Sequence, residues 1–240
     1  VRHVLVTHIH LDHAGAAGWW AARGAQIYVH PAGAPHLADP SRLLASAARI
    51  YGDAMDRLWG DMLPVPPDRL VPLADGAVID VAGLEVAAID APGHAGHHLV
   101  YRIGDVAFTG DAAGVRLPVQ SLIALPAPPP EFDREAWDRT LDRLSGLDVA
   151  TLYPTHFGPC GEPAAHLPAL REVLHAATDF IRAGMAAGLD RDALVRDYAA
   201  WSRGRARDVP DDVWAAYELA NPLFMSVDGI VRYWRKRMGV

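Results

Sequence analysis

Cysteine, lysine and long apolar runs are what this 240-residue chain has least of. Cys160 is its single cysteine, which excludes an intramolecular disulfide and any cysteine-built zinc cage. Lys236 is the only lysine among 22 basic residues, a bias of composition rather than a functional signal. No apolar run approaches the roughly 18 residues that a spanning helix requires, so the expectation is a soluble, cytoplasmic protein with no membrane partner. Positive charge is short as well. The balance of 22 basic against 29 acidic residues leaves a net charge of −7, which argues against a nucleic-acid partner held by phosphate contacts. The G-x-S-x-G, P-loop and dinucleotide-glycine signatures are all missing, and with them the chemistries those motifs carry.

What is present begins with material for a core. Hydrophobic residues make up 51% of the chain and charged residues 21%, enough for one large domain and too apolar for disorder. Runs of β-branched and apolar residues predict strands at 2–7, 26–30, 77–81, 84–90, 98–103, 106–110 and 149–156. Turn pairs at 75–76 and 82–83 make 77–110 read as a β-meander. A small-residue stretch at 13–24 is helix-compatible, and HPAGAP (30–35) reads as a break. Residues 40–60 change period, with Leu43, Leu44, Ala47, Ile50, Tyr51, Ala54, Met55 and Leu58 at helical spacing. A helix follows at 131–145. Beyond Gly161 the strand signal stops, and periodicity predicts helices at about 162–185, 190–203 and 211–237. Asn221-Pro222 restarts the last of these.

Against this background the histidines are unevenly spent. THIHLDHAG (7–15) crowds His8, His10 and His13 around Asp12, directly after a strand. In an extended segment His8 and His10 fall on one side and can share a cation, while Asp12 and His13 point elsewhere and can serve a second. Neutral imidazoles and a carboxylate suit zinc, iron or manganese. Three further strand ends carry the same residue types: His94 in APGHAGHH (91–98), Asp111 in FTGD (108–111) and His156 in YPTHFGP (153–159). Loops at strand ends are where a rigid scaffold tends to hold its functional side chains.

H-x-H-x-D-H, then P-G-H, then G-D, then a lone histidine after a strand resembles the metallo-β-lactamase superfamily, and the order holds from residue 2 to residue 158. The resemblance implies an α/β fold, an αββα sandwich, here with an inserted helical segment at about 40–60 and C-terminal helices. It implies residues 1–160 as the catalytic domain and 161–240 as a helical region packed on it. It also implies two divalent metal ions, zinc in the first instance with iron or manganese as alternatives. Carried over position by position, His8, His10 and His94 hold the first metal, Asp12, His13 and His156 the second, and Asp111 bridges them. The implied activity is metal-dependent hydrolysis of a small-molecule ester, thioester or lactone by a bridging hydroxide. Asp12 takes or passes the proton as the catalytic residue. The set is similar to the glyoxalase II and lactonase branches, although the run Asp111-Ala112-Ala113-Gly114 lacks the tyrosine that lactonases carry there. The alternative is a persulfide dioxygenase-like oxidoreductase with a single non-haem iron.

Other features have plainer readings. His3, His30, His36, His97, His166 and His175 are read as surface or satisfied core residues, and Cys160 as a small buried hydrophobe. Trp19 and Trp20 are read as core. His98 fits either support of a ligand or simple strand packing. RYWRKR (232–237) is a solvated last helical turn, where positive charge suits the dipole. The stretch 40–60 fits either a cap over the metal edge or ordinary packing on the sandwich. Family members build several strands before the H-x-H-x-D-H loop, whereas this chain offers only Arg2–Thr7. The resemblance therefore leads us to expect about 50–70 further upstream residues in a complete domain.

Overall fold

The computed structural model describes residues 1–117, 122–156 and 158–239. The chain divides into two compact units: Val1–Asp90 with His97–Ile103, and Ala91–Gly96 with Gly104–Val240.

In the first unit, β1 (His3–Leu5), β2 (Gln26–Val29) and β3 (Leu70–Pro72) form a parallel three-stranded sheet in the order β1-β2-β3. Parallel neighbours need long crossovers, and helices supply them. Short helices α1 (Leu11–Ala14) and α2 (Ala17–Ala21) lie between β1 and β2. Helices α3 (Ala34–Ala38), α4 (Ser41–Tyr51) and α5 (Met55–Leu58) lie between β2 and β3. Strands β4 (Val78–Val81), β5 (Leu84–Asp90) and β6 (Leu99–Ile103) pair antiparallel, as the turn signals predict.

Two apolar clusters hold this unit together. One joins the crossover helices to the parallel sheet through Val6, Ile9, Leu11, Ile27, Val29 and Leu37. The other joins the parallel strands to the meander through Tyr28, Leu73, Val86, Ala88, Leu99 and Tyr101. The alternation of β5 explains the second cluster, because Val86 and Ala88 share one face of the strand. Tyr101 adds a polar tie: its buried hydroxyl donates to the Val6 carbonyl at 2.9 Å. Burial pushes that phenol well above its ordinary range.

The second unit contains β7 (Val106–Gly110) and β8 (Thr151–Pro154), paired parallel, with α6 (Arg134–Ser145) between them in sequence. Four helices follow: α7 (Pro163–Ala186), α8 (Arg191–Arg205), α9 (Asp211–Ala220) and α10 (Leu223–Met238). Helix α7 packs on α6, and α10 packs on α7 and α8. Trp137, Leu141, Leu144, Leu170 and Leu174 are completely or almost completely buried in this unit. Among the described residues no helix is long and apolar enough to cross a membrane.

Several expectations are corrected. The stretch 13–24 is two short helices rather than one, and HPAGAP runs into α3, with Pro35 in its first turn where proline is tolerated. Strand β3 has no counterpart among the predicted strands. The span 211–237, by contrast, restarts at Asn221-Pro222 as expected, giving two helices. Trp19 is 43% exposed, with the Arg23 guanidinium stacked 3.4 Å from its ring centre, so only Trp20 joins the core. Residues 40–60 are helical as predicted, and they pack on the first cluster through Leu43, Leu44, Tyr51, Met55 and Trp59.

Candidate metal centre

The first unit carries His8, His10, Asp12 and His13 just past the end of β1. The Val6 amide still pairs with the Tyr28 carbonyl, and the Thr7 carbonyl accepts from the Leu99 amide at 2.7 Å, so the chain leaves the sheet with its backbone pinned. His8 follows, fully buried. His10 is extended and stands at the N-cap of α1, its carbonyl accepting from the His13 and Ala14 amides. His8 and His10 therefore share one side, as the spacing predicts, with ring centres 4.6 Å apart. The helical turn adds something the extended reading does not contain. It folds His13 back until its ring centre is 4.0 Å from that of His8. Ligand atoms of His8 and His10, of His8 and His13, and of Asp12 and His13 each lie within 4.8 Å of one another.

His97 and His98 back this loop. His98 is fully buried and stacks on His8 at 4.7 Å with a 19° interplanar angle. His97 accepts from the Ile9 amide at 3.4 Å and meets the His10 ring edge-on at 5.8 Å. His97 is thus the satisfied core residue that the plain reading expects, and its bond steadies the backbone between two of the predicted ligands. The one sequence signal for it was its place three residues after His94. His98 supports a predicted ligand rather than merely filling a strand.

The second unit holds His94, Asp111 and His156. Asp111 begins a 3-10 turn after β7, and Gly110 before it has φ +52° and ψ −141°, a conformation that favours glycine. The carbonyls of this turn are fixed in place: the Trp137 indole donates to Ala112 at 2.8 Å, and the His166 Nε2 donates to Ala113 at 2.7 Å. Burial pulls His166 below its ordinary value, which keeps the ring neutral. His166, read from the sequence as a satisfied core residue, thus supports a predicted ligand. His94 sits in a loop gripped by α6: the Thr140 hydroxyl donates to the Pro92 carbonyl and the Asp133 amide to the Gly93 carbonyl. The Nδ1 of His94 lies 2.7 Å from the Pro126 carbonyl. A carbonyl only accepts, so Nδ1 carries a proton, and in the neutral ring Nε2 is the nitrogen with the lone pair. His156 has φ +65°, unusual for a side chain of its size, and the Thr155 amide ties its loop to the Gly110 carbonyl at 3.2 Å.

The distances within each unit suit a cation. Two ligand atoms about 2.0–2.1 Å from one tetrahedral ion stand about 3.3 Å apart. The Asp111 carboxylate meets His94 Nε2 at 3.3 Å with one oxygen and His156 Nε2 at 3.6 Å with the other. Asp12 meets His13 Nε2 at 3.3 Å. His30 and Asp90 show the same 3.3 Å spacing, so spacing alone does not define a centre. What sets Asp111 apart is that it is 3% exposed and has a different histidine on each oxygen. Cys160 is no part of this set: it is buried, bridges to Leu152 and accepts from the Arg116 guanidinium.

Residues 1–156 match the profile of the metallo-beta-lactamase superfamily. The chain belongs to that superfamily. Among curated relatives of this metallo-beta-lactamase family member is the metallo-beta-lactamase fold-containing protein ST1585 of Sulfurisphaera tokodaii. It is 26% identical over 160 residues, 65% of this chain and 60% of that protein. An uncharacterized protein of Mycobacterium bovis, Mb2612c, is 33% identical over 124 residues, 45% of this chain and 49% of its own. The matches thus span about half to three-fifths of these relatives' lengths. Among solved structures, the metallo-beta-lactamase family protein TTHA1429 of Thermus thermophilus aligns with a TM-score of 0.66 at 21% identity. That alignment covers 99% of this chain and 75% of the other. The crystal structure of ST1585 aligns at 0.63 and 24% identity, covering 72% and 68%. At such identities the likeness speaks to fold: two sheets flanked by helices, the αββα sandwich expected from the sequence.

Proposed function

We propose that this chain is a metal-dependent hydrolase of a small-molecule ester, thioester or lactone. In this reading His8, His10 and His94 hold one divalent cation, Asp12, His13 and His156 hold a second, and Asp111 serves both. The observation that carries it is the Asp111 carboxylate, buried, with His94 on one oxygen and His156 on the other. A buried carboxylate between two imidazoles is costly to keep unless positive charge is nearby, and two cations held by these residues would supply that charge. Bound divalent ions would contribute an acidified water and an electrophilic edge for a carbonyl.

The protein's own groups have separate tasks. Pro126 holds the His94 tautomer in which Nε2 is the nitrogen that would ligate. His98 and His97 orient His8 and His10 from behind. Asp12, whose side chain is 39% exposed, is the member of the set best placed to exchange a proton with solvent or substrate. A hydrolysis screen over thioesters, lactones and aryl esters, with metals measured on the same sample, tests the reading. About two metals per chain and turnover lost in Asp111→Asn are expected. A single iron with oxygen consumption would replace the hydrolase by the dioxygenase-like reaction.

A further inference from the structure

We infer that Asn221 and Ser226, at the junction of α9 and α10, are positioning residues for His94 and act through the backbone of residues 125–127. The inference rests on the proposed role of His94 as a ligand. Both side chains are buried, Asn221 at 6% exposure and Ser226 at none, where a polar group is destabilising unless hydrogen-bonded. Their partners converge on one short segment about a hundred residues earlier in the chain. The Asn221 amide donates to the Leu125 carbonyl at 3.1 Å, and the Ser226 hydroxyl donates to the same carbonyl at 2.8 Å. The Ala127 amide donates back to the Ser226 oxygen at 3.3 Å. Ser226 also lies 3.3 Å from the Asn221 carbonyl oxygen, but its single proton serves the shorter contact to Leu125.

The residue between these two anchors is Pro126, whose carbonyl faces His94 Nδ1 at 2.7 Å. Proline has a ring-fixed φ and no amide hydrogen, so its carbonyl direction is set by its own ring and by its two clamped neighbours. Helix α10 comes close enough to enforce this. A Cβ placed on Gly229 would lie 2.0 Å from the Ala127 carbonyl oxygen, so only glycine allows the approach. The hydrogen bonds run from Asn221 and Ser226 to residues 125 and 127, and Pro126 passes the constraint to His94 Nδ1. The result is a defined position for His94 Nε2, 3.3 Å from the Asp111 carboxylate. Plain helix packing would need no polar groups here. Two buried hydrogen-bonding side chains aimed at the flanks of one carbonyl are what orientation of a ligand requires.

The test measures zinc affinity by chelator competition in Ser226→Ala, Ser226→Cys and Asn221→Ala, alongside thermal unfolding of the metal-free proteins. Ser226→Cys keeps the packing while weakening the donor, so it remains informative should the alanine variant fold poorly. One zinc site is expected to weaken by about 10- to 100-fold in these variants. The His94 Nδ1 proton resonance of the metal-free protein should shift or vanish. Arg191→Ala breaks the ion pair to Asp228 on the surface of the same helical region, and it should leave both readouts unchanged. Zinc affinity within about twofold of wild type in the three folded variants would overturn the inference. His94→Ala separates the two levels. If it also binds zinc as wild type does, the metal-centre reading itself fails. If it alone weakens binding, only the positioning role fails.

Discussion

At the scale of single residues, two histidines are both held at a carbonyl and do different things. His94 keeps its Nδ1 proton because Pro126 accepts it, whereas His166 stays neutral because burial outweighs the Ala113 carbonyl that favours its charged form. The sign of the second effect can be worked out. The unfolded His166 takes up a proton below about pH 6.5, its ordinary value, while the folded ring resists until lower pH. Stability from this group is therefore complete above that point and is lost as pH falls through the folded value. His166→Gln should flatten the decline of the urea midpoint on acidification, relative to wild type, in metal-free protein. Asp12→Ala should lower turnover by about 10²- to 10⁴-fold, the usual scale for a general acid or base, with circular dichroism unchanged. Retained turnover per folded molecule would show Asp12 to be structural.

Among the elements, α6 has the clearest division of labour. Its N-cap Asp133 accepts from the Ala136 amide at 2.8 Å with its side chain, while its backbone amide holds the Gly93 carbonyl. Asp133→Ala removes the first bond and keeps the second. A loss of about 0.5–2 kcal/mol in urea unfolding with nearly unchanged zinc affinity is expected. Gly93→Ala is the opposite case. Gly93 has φ +140°, and an added Cβ would stand 2.4 Å from the Trp137 Cβ. Strain and overpacking together should cost at least about 2 kcal/mol and should weaken zinc binding, because the displaced residue precedes His94.

On the scale of the whole molecule, the proposed ligand set would make metal binding a term in folding. Metal-free protein should unfold at lower temperature than the zinc form. At free zinc about a hundredfold above the dissociation constant, each site contributes about 2.7 kcal/mol. Calorimetry with and without chelator reads this directly, and Asp111→Asn should narrow the gap between the two forms. A chelator-independent transition in protein shown to hold metal beforehand would contradict the coupling.

The sequence by itself determined the elements that carry strong periodicity and the loops that carry the chemistry. Strands β5 and β7 run over the predicted 84–90 and 106–110, because alternating apolar residues between turn signals leave little choice of conformation. The H-x-H-x-D-H spacing placed His8 and His10 together through local geometry alone. Tertiary structure decided the rest. Strand β3 has three residues and ends in proline, too short to show a period, and it is a strand because β2 offers it a partner. The hydrogen-bond partners of His97, His166, Asn221 and Ser226 were also hidden. Each of these side chains bonds to a backbone group 53 to 101 residues away. A side chain's type announces that it can donate or accept, but only the packed chain selects which carbonyl or amide it meets.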